Sequence, residues 1–284
     1  MIIKRILNLI WREFIYGGHL QGLVGAVIFL TIIILINKEV DWKLLIIGYL
    51  LTFFNYRYNY YKGIEKDVLT NPERVDYLKK NIKYSQGLLL VCLFFLLWII
   101  IYYIKIKTAI FTIFLLIIGV CYTIWFKDWT KKIIGFKNFY ISIPFGLFVI
   151  IIGLYYSLLN WSMFFIFFFV FLKMFLNTIF FDTKDIASDK KEGLKTIPVV
   201  LDKEKTLKFL HILNFLSFCP LIMGIYLNLL PGFSLIMLIF FFFVFYYLEK
   251  AKDENINIQK LSYLVADGEF LLWPIVLLIG KMIL

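Results

Sequence analysis

The chain has 284 residues, 62% of them hydrophobic and 17% charged. A soluble protein of this length needs more polar surface than that to cover its core, so lipid must solvate most of it. The net charge of +11 is carried in short loops between apolar runs and not on a water-exposed domain, which argues against nucleic acid as a partner.

At the N-terminus, Lys4, Arg5 and Arg12 interrupt the apolar residues. That pattern argues against a cleavable signal peptide and predicts a short amphipathic helix at the membrane surface over Ile2–Tyr16, within residues 1–18. A helical span needs about 20 mostly apolar residues. Such runs fall at 19–37, 43–60, 84–104, 108–126, 138–159, 161–181, 207–227, 231–248 and 262–282. The expected fold is all-α: a polytopic membrane protein with about nine transmembrane helices in one bundle, residues 1–284 forming a single membrane-embedded domain. Very short connections make 84–104 with 108–126, and 138–159 with 161–181, tight antiparallel hairpins. Cys92, Cys121 and Cys219 all lie inside apolar runs without metal-ligand spacing and read as buried thiols.

The loops alternate in charge. Those at 61–83, 127–137, 182–206 and 249–261 hold most of the lysines, Lys66, Lys79, Lys127, Lys190, Lys191, Lys203 and Lys250 among them. By the positive-inside bias these loops and the N-terminus face the cytoplasm, and the C-terminus lies outside. The Lys-, Ile- and Phe-rich, Ala-poor composition suggests the cell membrane of a microbe.

Two of the lysine-rich loops carry ordered polar clusters. In the first, Asn59, Gly63 and Asp67 recur every four residues, so Asn59 and Asp67 offer oxygens on one helical face and Gly63 offers none. A tyrosine-rich helix end fits an aromatic interface belt equally well. In the second, Asp182, Asp185 and Asp189 are spaced i, i+3, i+7. If the sixth span runs on past the membrane surface, they share a face, and three like charges there are disfavoured without a cation. Hard oxygen ligands of this kind suit Mg²⁺; a solvated acidic patch is the alternative.

Together the clusters resemble those of the UbiA-type membrane prenyltransferases. Asp182, Asp185, Asp189, Lys190-Lys191, Gly193 and Thr196-Ile197-Pro198 follow that family's second motif, D-x-x-D-x-x-x-D, a basic pair, Gly and T-L-P. Tyr122-Thr123, Lys131-Lys132 and Lys137-Asn138 follow its Tyr-Ser/Thr … Lys-Arg … Gly/Lys-Asn pattern. The first motif departs: where the family has N-D-x-x-D-x-x-x-D, this chain has Asn59-Tyr60-x-x-Gly63-x-x-x-Asp67, and Val75 replaces the Pro after Arg74.

The resemblance implies transfer of a prenyl or polyprenyl group from an isoprenyl diphosphate to a lipophilic or phosphate-bearing acceptor, with Mg²⁺ aiding ionisation. The motif loops would be 59–83, 122–138 and 182–206. Asp182, Asp185, Asp189, Asn59 and Asp67 would hold metal, with Asp185, Asp189 and Asp67 catalytic. Arg74, Lys131, Lys132, Tyr122, Asn59, Arg57 and Lys62 would bind diphosphate. Because two acids are missing beside Arg57 and Lys62, cations are expected to replace one of the metals. Lys173, in the middle of a span, either pairs inside the bundle or meets substrate. Asp267 and Glu269 face the mouth of the site or mark the water boundary, and His19 and His211 read as structural. A terpene cyclase and a non-catalytic isoprenoid binder remain alternatives. A transporter is disfavoured, since the acids gather at one surface and not near the midplane.

Overall fold

The computed structural model describes residues 2–65, 67–68 and 71–283, among which there are helices and turns but no strand. Lys66 lies outside the described residues. Helix α1 (Ile2–Tyr16) is followed by α2 (His19–Leu35), α3 (Trp42–Lys62), the short α4 (Pro72–Lys80), α5 (Ile82–Tyr103), α6 (Ile106–Cys121), α7 (Phe136–Tyr156) and α8 (Trp161–Asp182). Then come α9 (Ile186–Lys191), α10 (Ile197–Tyr226), α11 (Ile239–Lys250), a single turn α12 (Ile258–Lys260) and α13 (Asp267–Ile283). In lipid every backbone polar group must be satisfied within the chain, which is why helices carry the spans.

Among the described residues seven helical stretches are long and apolar enough to cross a membrane alone. An eighth arises if α2 is joined to Leu9–Tyr16 across a 59° bend. The remaining candidate is α3, 21 residues long, whose last turns carry Asn55, Arg57, Asn59 and several tyrosines. Nine is therefore an approximate count, α3 missing on apolarity through these polar last turns. Outward-facing Leu90, Phe94, Ile106 and Phe242 are exposed, as a lipid-facing surface requires.

Small residues set the closest helix contact. A Cβ on Gly25 of α2 would stand 2.4 Å from the Gly48 carbonyl oxygen of α3, so these two backbones touch. Proline at 144, 220 and 274 removes a backbone donor inside α7, α10 and α13. Asp202 breaks α10 near its start with φ +67°, and its carboxylate caps the span that follows by accepting from the Lys205 amide at 2.9 Å.

The three motif loops lie at one end of the bundle. The Lys195 amide donates to the Thr130 carbonyl at 2.8 Å, and the Gly135 amide donates to the Lys195 carbonyl at 3.0 Å. These two bonds clasp the 182–206 loop to the 127–137 loop. Gly193, at φ +72°, ends α9, and the Leu194 amide reaches back to the Asp189 carbonyl at 2.9 Å. A left-handed residue followed by this six-to-one bond is a Schellman cap, which gives the motif's glycine its structural reason.

Candidate active site

Asp182, Asp185 and Asp189 do not lie on one continuous helix, contrary to the expectation from their spacing. Helix α8 ends at Asp182, the Asp185 amide closes a turn onto the Asp182 carbonyl at 3.0 Å, and α9 begins at Ile186. The turn nevertheless keeps all three carboxylates in one cleft, together with Asn59, Tyr60, Asp67, Asn71, Arg74, Tyr122 and Asp267.

Each carboxylate meets a different neighbour. Asp182 is buried; Lys137 Nζ lies 2.5 Å from its Oδ1, and Asn138 Nδ2 donates to Oδ2 at 2.8 Å. Asp185 accepts from Lys184 Nζ at 2.6 Å. Asp189 is 5% exposed and its Oδ2 has no hydrogen-bond partner. Burial, with some help from Asp182 and Asp185 against the opposing Lys137 charge, pushes its carboxyl up to about 7. Among the described residues no three acids, histidines or cysteines converge closely enough to chelate an ion. The second motif still fits a divalent cation by its chemistry: an orphaned buried carboxylate oxygen, with two further carboxylates lining the same space.

The first motif does not fit one. Its single remaining acid, Asp67, is paired with Arg74 Nη2 at 2.7 Å. The Arg74 guanidinium stacks over the Tyr60 ring at 4.1 Å, so the residue standing where the family has an acid supports a cation instead. Asn59 accepts from Thr123 Oγ1 at 3.4 Å and lines the cleft without a second acid beside it.

The cleft cations agree only in part with those the resemblance implied. Arg74, Lys127, Lys137 and Lys184 line it. Lys131 and Lys132 are exposed on the outer side of the same loop, Lys131 lying 3.2 Å from Asp128. Lys62 is exposed beside the Tyr58 and Tyr61 rings. Arg57 points away from the cleft altogether. It is fully buried, bonded to Glu13 at 2.6 Å, the Gly17 carbonyl at 2.9 Å and Ser85 at 3.0 Å, and it straps the α1–α2 elbow to α3 and α5. Arg57 and Lys62, expected beside the first motif, therefore lie outside the cleft, whereas Arg74 lines it. Lys127 and Lys137 line the cleft without having been expected there as phosphate-side cations, although Lys137-Asn138 is part of the recognisable pattern.

Tyr122 is buried at the start of a widened helical stretch, Tyr122–Phe126, and borders both the cleft and an apolar pocket beneath it. That pocket is lined by Leu51, Leu115, Pro144 and Phe148, and it shares Tyr56, Asn59, Ile141 and Phe145 with the cleft. Elsewhere, Lys173 pairs inside the bundle with Glu269 at 2.6 Å. His19 contacts Glu13 at 3.2 Å and His211 contacts Glu249 at 3.0 Å, both structural pairs.

These features define a polytopic helical membrane protein with a polar, acid-and-cation mouth opening onto an apolar pocket. By sequence the chain belongs to the UbiA prenyltransferase family, whose model matches residues 44–266. Its fold is similar to that of a digeranylgeranylglyceryl phosphate synthase of membranes (TM-score 0.62, 18% identity, covering 98% of this chain and 100% of that one). It is also similar to a UbiA homologue from Aeropyrum pernix K1 (TM-score 0.67, 13% identity, covering 95% and 98%). No curated protein matches the chain by sequence.

Proposed function

We propose that this protein transfers a prenyl or polyprenyl group from an isoprenyl diphosphate to a lipophilic acceptor, as one membrane-embedded unit spanning residues 1–284. The observation that carries the reading is the continuity of the cleft with the apolar pocket through Tyr56, Asn59, Tyr122, Ile141 and Phe145. A diphosphate head and an isoprenoid tail need those two environments side by side. The lysine-rich loops support a cytoplasmic site with the C-terminus outside, in a microbial cell membrane.

Asp182, Asp185 and Asp189 would hold Mg²⁺, which on binding supplies charge neutralisation to the departing diphosphate. Arg74, Lys127 and Lys137 bind the diphosphate oxygens and stabilise the charge that develops as the allylic C–O bond breaks. Tyr56, Tyr60 and Tyr122 wall the cleft, stabilise the allylic cation through their ring faces and exclude water. Asp67 holds Arg74 in position.

The test is to incubate membranes containing the protein with labelled geranylgeranyl diphosphate and Mg²⁺ and to follow released diphosphate. Release that depends on added lipophilic acceptor supports transfer. Release without acceptor points to cyclisation, and no release across donor chain lengths overturns catalysis in favour of a binding role.

A further inference from the structure

The inner wall of the cleft carries a polar trio that diphosphate binding does not use. Gln21 of α2, Asn177 of α8 and Asp267 of α13 all line the cleft, and each is more than nine-tenths buried. Gln21 Nε2 donates to Asp267 Oδ2 at 3.2 Å, and Asn177 Nδ2 donates to Oδ1 at 3.4 Å. Lys184, whose charge reaches Asp267, is itself paired with Asp185 at 2.6 Å.

The neighbouring acid gives the contrast. Glu269, two residues further along α13, is matched by Lys173 at 2.6 Å and by the Trp273 ring N–H at 3.3 Å. Lys173 and Asn177 are one turn apart on α8, so two rungs join α8 to α13: one an ion pair, the other a carboxylate whose hydrogen bonds come from neutral amides, with the Lys184 charge acting on it only through space. Burying a carboxylate with no cation bonded to it is costly, and an ionisable group kept so within a membrane protein is a functional suspect.

The donor pattern narrows what the trio binds. A carboxylate only accepts, so both amides must turn their N–H groups toward it. That leaves Gln21 Oε1 buried with no hydrogen-bond partner. The wall presented to the cleft is therefore made of acceptors: an amide oxygen and the free lone pairs of Asp267. A carboxylate or phosphate would be repelled there, whereas a neutral hydroxyl satisfies it.

We propose that Gln21, Asn177 and Asp267 form the subsite for a hydroxyl group on the acceptor, and that Asp267 takes its proton. This rests on the prenyl-transfer reading above. The bond from the donor's allylic carbon to diphosphate oxygen breaks, its electron pair leaving on the diphosphate. An acceptor oxygen lone pair forms the new C–O bond, the O–H bond breaks, and the proton passes to the Asp267 carboxylate. The product is an ether, with diphosphate released and the proton returned to water through the cleft.

The test uses the purified full chain and measures binding of a monoalkylglycerol, its dimethyl ether without hydroxyls, an alkylphenol, and geranylgeranyl thiolodiphosphate as a non-ionising donor. The wild type is expected to bind the monoalkylglycerol about tenfold more tightly than the dimethyl ether. Asp267→Asn and Gln21→Leu should each erase that preference while changing donor-analogue affinity less than twofold. Which hydroxyl probe binds and yields ether with the true donor separates an aliphatic alcohol from a phenol. No preference in the wild type, or a preference that survives both substitutions, overturns the subsite. Failure of the wild type to bind the donor analogue overturns the prenyl-transfer reading instead, while the hydroxyl comparison still judges the trio.

Discussion

Asp67 and Asp189 border the same cleft, yet they are partnered differently. Around Asp189 lie two more carboxylates, and one of its own oxygens is buried without a partner. Around Asp67 lie a tyrosine, a glycine and a guanidinium, and its charge is spent on Arg74 at 2.7 Å. On the α8–α9 side Lys137 and Lys184 hold Asp182 and Asp185 but leave an oxygen of Asp189 without a hydrogen-bond partner; on the α3–α4 side a guanidinium holds the single motif acid. Where the family has acids on the α3–α4 side, this chain has a ring and a glycine, and its one remaining motif carboxylate is neutralised within the chain by a guanidinium stacked on that ring.

The comparison breaks most readily at Asp189. Asp189→Asn should lower diphosphate release by about a hundredfold or more, since on the proposed reading the change removes charge where metal and leaving group would meet. Stopped-assay turnover at saturating Mg²⁺ checks this, and near-normal turnover would make the two motifs equivalent. Next in size, Arg74→Ala should weaken binding of geranylgeranyl thiolodiphosphate about tenfold or more, the loss of a charge-assisted pair. Arg74→Lys should recover only part of that, because an ammonium does not stack on Tyr60 as a guanidinium does. Gly63→Asp sharpens the contrast from the other direction. A Cβ there would sit 3.0 Å from the Asn59 carbonyl oxygen and 3.2 Å from Asp67 Oδ2, and Gly63 has φ −87°, a conformation open to any residue, so the substitution restores a carboxylate pair at the cost of a small shift in these neighbours. Equilibrium dialysis with the donor analogue should then find more Mg²⁺ bound per chain than in the wild type, with a several-fold change in the Mg²⁺ dependence of binding. The smallest effect belongs to Lys62→Ala, for which donor affinity should stay within about twofold, as expected of an exposed cation outside the cleft.

Much of the architecture was legible because lipid imposes a coarse rule. Runs such as 84–104 and 161–181 admit no reading except a span, and α5 and α8 match them to within two residues at either end. The acids of the second motif were legible because three like charges at helical spacing need a reason. Their shared face was not, since a turn at Thr183–Asp185 brings them together by a different path. Direction within a loop was also hidden: Lys127 and Lys131 bracket the same five-residue helical turn, and only the fold decides which one faces inward. Arg57 illustrates the limit of local reading. Its partner Glu13 lies 44 positions earlier, so nothing near Arg57 announces that its charge is already matched. Asp267 was noticed as ambiguous, and its amide partners on α2 and α8 become neighbours only once the bundle closes.

The clasp at Lys195 makes the rim of the cleft unusually indifferent to what side chain stands there. Both contacts to the neighbouring loop use the peptide unit alone, one through N–H and one through C=O. Evolution is therefore free to vary residue 195 among nearly all amino acids, while an imino acid would unfasten half of the clasp and let the two loops drift as separate flaps.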